Sequence, residues 1–265
     1  MIRLLALDFD GVISDSAPES FAVAILTYTQ MRSDSQFRSR GAALESGPLP
    51  IPAPPAEDPL YASFLELMPL GNRAEDFAIS LCALEAGRQI ADQAGYDAFR
   101  SELDEGWLQE FHRCFYRNRT ALSRRDPKGW RRMMGPYSRF LEILHRRSGD
   151  AILAIATAKD AETVDALMRD YGIDALFAAD RVLDKDTGVH KDAHLRRLHE
   201  TLGVAYDEMT FVDDKVNHLD KVAGLGVRCA LAAWGYNGAR EIELASERGY
   251  RVCTLENAER QLFGP

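Results

Sequence analysis

The sequence predicts an α/β protein: a doubly wound parallel sheet with a helical domain inserted after the first strand. Three observations predict this fold class. Short apolar runs without polar alternation are typical of strands that are covered on both faces. From residue 137 onward these runs alternate with helical patterns, which favours a parallel sheet. The interval from 16 to 135 has helical patterns but no convincing strand, which indicates the insertion.

The predicted strands are taken in chain order from the apolar runs. They are IRLLAL (2–7), AILAIAT (151–157), a short stretch near 181–183, TFV (210–212) and VRCALA (227–232). Between them, apolar residues recur at helical spacing and each pattern ends at a turn residue. These ends are Ser148, Gly172, Gly203 and Gly224. The first strand is expected to join the same sheet, because it cannot be buried alone.

The insertion is predicted to be helical over 21–28 and 77–84, with a third helix that runs through the aromatic series between 99 and 115. The segment GPLPIPAPPAEDP (47–59) holds six of the eleven prolines and is expected to be an extended, polyproline-like loop. The predicted domains are therefore a core of residues 1–15 and 136–265, and a helical cap of residues 16–135.

Composition limits the classes of function. A net charge of −9 argues against nucleic acid as the main partner. No apolar run approaches the roughly 20 residues that a membrane-spanning helix needs, and no secretory signal is recognised. The four cysteines are scattered without a CxxC pair, which is typical of reduced core residues in a cytoplasmic protein. We expect a cytoplasmic protein with neither nucleic-acid nor membrane partners.

Polar side chains follow the predicted strands where the strands end. Asp8 and Asp10 follow the first strand in LALDFDGVIS, Thr157 ends the second, and Asp213 and Asp214 end TFVDD; in addition, Lys191 lies just before a predicted helix. Ligands of open α/β sheets bind outside the carboxyl ends of the strands. The sequence therefore predicts four carboxylates, one hydroxyl and one ammonium at a single rim.

Such a rim requires a cation. Two like charges at about 4 Å repel by roughly 4 kcal/mol at an effective dielectric constant near 20. Carboxylate ligands without a histidine or cysteine cage suit a hard divalent ion, magnesium before calcium. Magnesium in proteins commonly also binds a substrate phosphate, and a lysine and a threonine hydroxyl suit the remaining phosphate oxygens. The predicted ligand is a phosphoryl group.

DFDGV, the Thr157 after AILAIA, Lys191 before a helix, and FVDDKVNH resemble the four ordered motifs of the haloacid dehalogenase (HAD) superfamily. The resemblance is to the branch of phosphoglycolate phosphatase and β-phosphoglucomutase. It implies a Rossmann-like core with a helical cap that closes over small soluble substrates. One departure is Ala158, where many members have glycine.

The resemblance also implies roles for individual residues. Asp8 would be the nucleophile, and Asp10 the general acid and base whose backbone carbonyl also binds magnesium. Thr157 and Lys191 would complete the catalytic group, and Asn217 would support the last motif. Phosphate would be bound by Asp8, Gly11, Thr157, Ala158 and Lys191, and the metal by Asp8, Asp10, Asp213 and Asp214.

The sequence thus predicts a Mg²⁺-dependent phosphatase that hydrolyses a small phosphorylated metabolite through an aspartyl-phosphate. A phosphomutase with the same intermediate is the first alternative, and a non-catalytic phosphoryl-binding protein is another. A receiver-type signalling domain is disfavoured, because there the acidic pair precedes the accepting aspartate and no helical insertion occurs. In the insertion, Arg73 is a candidate specificity residue, although the start of a helix explains it equally well.

Overall fold

The computed structural model describes residues 3–47, 58–71, 73–188 and 190–264. The chain divides into two compact units. The first contains the described residues of Met1–Asp15 and Gly135–Pro265, and the second is Ser16–Met134.

A six-stranded sheet lies at the centre of the first unit. The strands of the protein are β1 (Leu4–Leu7), β2 (Ser14–Asp15), β3 (Gly135–Pro136), β4 (Ile152–Ala156), β5 (Val182–Leu183), β6 (Met209–Asp213), β7 (Arg228–Ala232) and β8 (Arg251–Cys253). The sheet has the order β5-β4-β1-β6-β7-β8 and every pair in it is parallel. The predicted parallel sheet is confirmed; Ile2, at the start of its first predicted strand, lies outside the described residues.

Helices connect the strands and form the second unit. In the second unit they are α1 (Ala17–Met31), α2 (Arg38–Ser46), α3 (Pro59–Leu67), α4 (Ala74–Glu85), α5 (Gln93–Ser101), α6 (Glu105–Arg125) and α7 (Pro127–Arg131). In the first unit they are α8 (Ser138–Arg147), α9 (Ala161–Asp170), α10 (Lys191–Leu202), α11 (Val216–Ala223), α12 (Ala239–Glu247) and α13 (Ala258–Phe263). The predicted helical insertion after the first strand is confirmed.

The apolar runs that predicted the strands form the core of the first unit. Leu4 and Ala6 of β1 join a cluster with Leu195 of α10 and Leu219 of α11, and all four side chains are fully buried. Complete burial of a leucine side chain contributes about 1.5–3 kcal/mol. β1 has a strand on each side and all four of its residues are buried, so its carboxyl end is the centre of the sheet edge.

The second unit has a core of aromatic rings around α1. Phe21 makes edge-on contacts with Tyr61 and Phe64, each with ring centroids 5.1 Å apart. Phe77 continues the cluster to Phe115 of α6 at 5.4 Å. The aromatic residues of the insertion therefore stabilise this unit itself.

Two sequence predictions about the insertion were wrong in detail. The single helix predicted across 99–115 is two helices, α5 and α6. The Asp104 carboxylate accepts the Trp107 backbone N–H at 2.7 Å and is the N-cap of α6. The proline-rich loop predicted for 47–59 does not extend to Pro59, which is the first residue of α3, with Asp58 as its N-cap. Residues 48–57 of that prediction lie outside the described residues.

Three short strands were not predicted. β8 is a three-residue edge strand, and β2 and β3 form a two-residue antiparallel pair. Runs of two or three residues are too short to show a periodic pattern in the sequence. They become strands only by pairing with residues that are distant in the chain. None of the helices in the described segments combines the length and the apolar content that crossing a membrane requires.

Candidate active site

The polar residues predicted at the strand ends lie at one edge of the sheet. β1 pairs with β4 on one side and with β6 on the other, in a register that puts Asp8 beside the carboxyl ends of both. Thr157 follows β4, Asp213 is the last residue of β6, and Asp214 comes next. All four of these side chains are buried, so their charges and hydrogen bonds act in a medium of low polarity.

Lys191 is the first residue of α10, and its ammonium reaches this edge. Nζ donates to Oδ1 of Asp8 at 2.7 Å and to the carbonyl oxygen of Ala156 at 2.8 Å. The Phe9 backbone N–H donates to the same Asp8 oxygen at 2.7 Å. Within the described residues, both donors therefore use Oδ1, and Oδ2 is the oxygen of Asp8 that can form a new bond.

Burial and neighbouring charges set the protonation of this pair. Burial raises the pKa of Asp8 to about 6; Lys191 opposes the shift and Asp213 adds to it. Burial would lower the pKa of Lys191, but the carboxylates of Asp8 and Asp213 outweigh that effect and raise it. Lys191 is therefore a permanent cation, while the ionisation of Asp8 carries a cost that a second cation would reduce.

Asp213 is held by a histidine that the sequence analysis did not identify. Nδ1 of His218 donates to Oδ1 and Oδ2 of Asp213, 3.1 Å in each case, and the Lys215 backbone N–H donates to Oδ1 at 2.9 Å. Burial alone would raise the pKa of Asp213, but His218 and Lys191 lower it to about 2. Asp213 is thus ionised and well bound by His218, and the supporting role of Asn217 stays a prediction.

Asp214 contacts a loop that follows β7. The Tyr236 backbone N–H donates to Oδ2 of Asp214 at 3.0 Å, and Asn237 Nδ2 donates to the Asp214 carbonyl oxygen at 3.0 Å. Burial raises the pKa of Asp214 well above its ordinary value, and the nearby charge of Asp213 adds to the rise. Unlike Asp213, Asp214 is not stabilised as an anion by these surroundings.

Two glycines near Asp214 occupy positions with no room for a larger residue: Gly11 in the turn after Asp8, and Gly235 in the loop after β7. Gly11 has φ +79°, and a Cβ there would lie 2.5 Å from Cγ of Asp214. At Gly235 a Cβ would lie 2.3 Å from the Gly11 carbonyl oxygen and 2.4 Å from Cβ of Asp214. The 234–238 loop, the Gly11 turn and Asp214 therefore pack directly against one another.

Asp10 faces a second buried lysine. Nζ of Lys159 lies 3.0 Å from Oδ1 of Asp10, and the Lys159 side chain is 1% exposed. The Lys159 backbone N–H donates to Oγ1 of Thr157 at 3.1 Å. Ala158, between the two, is exposed at the end of β4. Thr157, Ala158 and Lys159 thus form one turn at the rim.

Arg73 lies in the second unit. It occupies the N-cap position of α4 in the second unit, where its backbone N–H donates to Asp76 at 2.9 Å. Its guanidinium is 3.9 Å from Glu75 and its side chain is 63% exposed. The start of a helix accounts for its place in the sequence, and a role in specificity stays a prediction; Asn72, beside it, lies outside the described residues.

The charges at this edge fit a divalent cation. Oxygen or nitrogen atoms of Asp8, Asp213 and His218 approach within 4.8 Å of one another, as ligands of one ion would. His218 Nδ1 is already bound to Asp213, however, whereas Asp8 and Asp214 have raised pKa values that a nearby cation would lower. Carboxylate oxygens without thiolates suit magnesium. Asp8, Asp213 and His218 are consistent with a metal site, and the ligand set of Asp8, Asp10, Asp213 and Asp214 stays a prediction.

His218, Lys159 and the 234–238 loop were not predicted from the sequence as parts of this site. One weak signal was available for each of the first two: His218 lies on the helix after Asp214, and Lys159 follows Thr157 by two residues. No sequence signal pointed to the 234–238 loop, because the contact of Tyr236 with Asp214 joins residues more than twenty positions apart in the chain.

Solved structures share this fold over nearly the whole chain. A haloacid dehalogenase-like family hydrolase from Streptococcus pneumoniae superposes with a TM-score of 0.64 at 14% identity, covering 97% of this chain and 96% of that one. A predicted phosphoglycolate phosphatase from Haemophilus somnus gives 0.60 at 18% identity with the same coverage. A HAD-superfamily hydrolase of subfamily IA from Geobacter sulfurreducens gives 0.51 at 17%, covering 88% and 90%.

These superpositions establish a HAD-like fold for the chain. No protein-family model matches the sequence, and no curated protein sequence matches it. The resemblance drawn from the sequence motifs is thus confirmed at the level of the fold.

Proposed function

We propose that the protein is a Mg²⁺-dependent phosphatase of the HAD superfamily that hydrolyses a small phosphate monoester through an aspartyl-phosphate. The observation that carries this proposal is the Asp8–Lys191 pair. One oxygen of this buried carboxylate accepts from an ammonium and a backbone N–H, and no described residue donates to the other. A nucleophilic carboxylate needs such an oxygen for the bond to phosphorus.

In the first half-reaction, Oδ2 of Asp8 attacks phosphorus and the bond from phosphorus to the ester oxygen breaks. Asp10 gives its proton to that leaving oxygen, so the alcohol departs neutral. In the second half-reaction, Asp10 takes a proton from water, the water oxygen bonds to phosphorus, and the bond to Asp8 breaks. Inorganic phosphate is released, and Asp8 and Asp10 return to their starting states.

Three groups at the rim are suited to hold the phosphoryl oxygens during this transfer. Lys191 supplies a positive charge beside Asp8, Thr157 a buried hydroxyl, and Ala158, an exposed residue in the turn after β4, a backbone N–H. Donors placed before the reaction stabilise charge that develops in the transition state. Mg²⁺ held by Asp8, the Asp10 carbonyl and Asp214 would neutralise phosphoryl charge, and it would also oppose the burial that raises the pKa values of Asp8 and Asp214.

The substrate class follows from the same chemistry and from the relatives. A phosphate monoester is the group that this rim suits, and one structural relative is described as a predicted phosphoglycolate phosphatase. We therefore propose a small phosphorylated metabolite as substrate and include phosphoglycolate among the first esters to test.

The test is phosphate release from a panel of small phosphate esters, with Mg²⁺ and with excess chelator. Asp8→Asn is the blank, and the exposed Asp207→Asn is its matched control. Metal-dependent release that disappears in Asp8→Asn but persists in Asp207→Asn is expected. Substantial release by Asp8→Asn would remove Asp8 as the nucleophile. Isomerised sugar phosphate without free phosphate would identify a phosphomutase instead.

A further inference from the structure

The first unit contains two buried lysines at the rim, and each pairs with a different aspartate. Lys191 binds Asp8, the proposed nucleophile, at 2.7 Å, and Lys159 binds Asp10, the proposed acid and base, at 3.0 Å. The Lys159 side chain is 1% exposed. A buried ammonium is costly unless an acceptor binds it, and Oδ1 of Asp10 is such an acceptor both in the carboxylate and in the acid that carries its proton on Oδ2.

The backbone of Lys159 is fixed at both of its polar groups. Its N–H donates to Oγ1 of Thr157 at 3.1 Å, and its carbonyl oxygen accepts the Lys185 backbone N–H at 3.3 Å. The ammonium therefore projects from an anchored turn at the end of β4. Asp10, in contrast, lies in the turn after β1 and its side chain is 34% exposed. Of the two side chains, that of Lys159 is the more buried.

We propose that Lys159 is a positioning residue: it holds Oδ1 of Asp10 and thereby directs the other carboxylate oxygen to the leaving-group oxygen of the substrate. This inference rests on the proposed function, in which Asp10 protonates that oxygen. Holding a proton donor in one orientation removes rotational freedom that the transition state would otherwise have to restrict. Lys159 itself touches neither the phosphoryl group nor Asp8 in this assignment.

The two lysines then differ in a measurable way. Loss of Lys191 impairs the nucleophile, so every ester is affected alike. Loss of Lys159 impairs only protonation of the leaving group, so esters of poor leaving groups are affected most. p-Nitrophenolate is a stable anion and departs without a proton, whereas the alkoxide of glycerol phosphate does not.

The experiment compares kcat/KM for p-nitrophenyl phosphate and for glycerol phosphate, or the best alkyl ester found in the panel. kcat/KM reports the steps up to phosphoryl transfer to Asp8, so the later role of Asp10 as a base does not enter. For Lys159→Met we expect a loss of about 100-fold or more with the alkyl ester, the lower end of what general acid catalysis contributes, and a loss below about 10-fold with the aryl ester.

Matched variants complete the test. Asp10→Asn should give the same ester-selective loss, and adding Lys159→Met to it should cost little more, because both changes remove one function. Lys159→Arg keeps a cation and should recover part of the alkyl-ester activity. Thermal unfolding of each variant checks its folding. If Lys159→Met does not fold, the ratio for Lys159→Arg decides, with a smaller but still ester-selective loss expected.

Equal losses with both esters, or losses confined to KM, would overturn the inference and make Lys159 a binding or purely structural residue. Additive losses in the double variant would overturn it as well. Absence of metal-dependent phosphate release by the unsubstituted protein is a different result: it contradicts the proposed function, whichever way the variants behave.

Discussion

The ammonium of Lys191 lies 2.7 Å from Oδ1 of Asp8, which joins the amino end of α10 to the carboxyl end of β1. The same nitrogen is 3.7 Å from Oδ2 of Asp213 at the end of β6. One cation thus serves two strand-end carboxylates, while Asp214 beside them has a raised pKa. This excess of negative charge is the physical basis of the metal proposal and of most of the predictions below.

We predict that the metal-free protein loses stability as the pH rises from about 4 to about 6, and that Asp8→Asn largely abolishes this loss. Burial, as the main cause, raises the pKa of Asp8 from 3.8 to about 6, so between these pH values the unfolded chain loses a proton that the folded chain keeps. Stability therefore falls as the pH rises from about 4 to about 6, and the full penalty, of the order of 3 kcal/mol, persists above that range.

Denaturant unfolding in excess chelator at pH 4, 5, 6 and 7 measures this effect. The difference between Asp8→Asn and the unsubstituted protein should grow between pH 4 and pH 6 and then level off. Asp207→Asn, an exposed change in the same unit, should show no such growth. A difference that shrinks as the pH rises would mean that the folded state favours the Asp8 anion.

We predict that Mg²⁺ raises the unfolding temperature of the unsubstituted protein. A ligand that binds only the folded state stabilises it by about 2.7 kcal/mol at a concentration of 100 times Kd. Asp214→Asn should remove most of this increment and Asp207→Asn should retain it. An increment of equal size in all three proteins would place the metal elsewhere.

Lys191→Met is expected to damage both stability and catalysis. It leaves Asp8 and Asp213 buried without their shared cation, and breaking a buried pair costs about 3–5 kcal/mol. Phosphate release should fall by about 10²–10³-fold, comparable to the loss of one transition-state donor. Lys185→Met, at an exposed position in the same unit, is the control. Chemical denaturation and phosphate-release assays measure the two effects, and similar behaviour of both variants would refute the prediction.

Gly235→Ala tests the packing of the 234–238 loop on Asp214. A Cβ at this position would lie 2.3 Å from a backbone oxygen of Gly11, so the loop or the Gly11 turn has to shift. Metal-dependent phosphate release should fall and the Mg²⁺ requirement should rise, as titration with Mg²⁺ would show. Gly224→Ala adds the same methyl group with nothing within 4 Å and should behave like the unsubstituted protein.

Glu19 is expected to be essential to the stability of the helical unit. It is fully buried, and its Oε1 accepts Arg119 Nε at 2.9 Å and Trp130 Nε1 at 3.0 Å. Glu19→Ala should cost about 3–5 kcal/mol by denaturant unfolding, since it breaks a buried ion pair with Arg119 and also removes the acceptor of Trp130 Nε1. Glu102→Ala breaks the exposed pair with Arg88 and should cost at most about 1 kcal/mol; equal costs would contradict the prediction.

The sequence by itself determined the parallel sheet and the helical insertion. Apolar runs such as those of β1 and β6 indicate strands that are buried on both faces. The polar residue after each run marks the end of the strand. The carboxyl ends of parallel strands lie at the same edge of a sheet. The sequence alone therefore predicts that Asp8, Thr157 and Asp213 lie close together. Their chemical roles stay predictions until the assays above are done.

Tertiary structure alone decided which partner each of these groups has. Three contacts join residues of different elements: His218 with Asp213, Lys159 with Asp10, and Tyr236 with Asp214. No periodic pattern in the sequence predicts them. The same is true of β8, whose three residues become a strand only through pairing with β7. Periodicity reports the burial of a segment, whereas the neighbours of a side chain depend on how separate segments pack together.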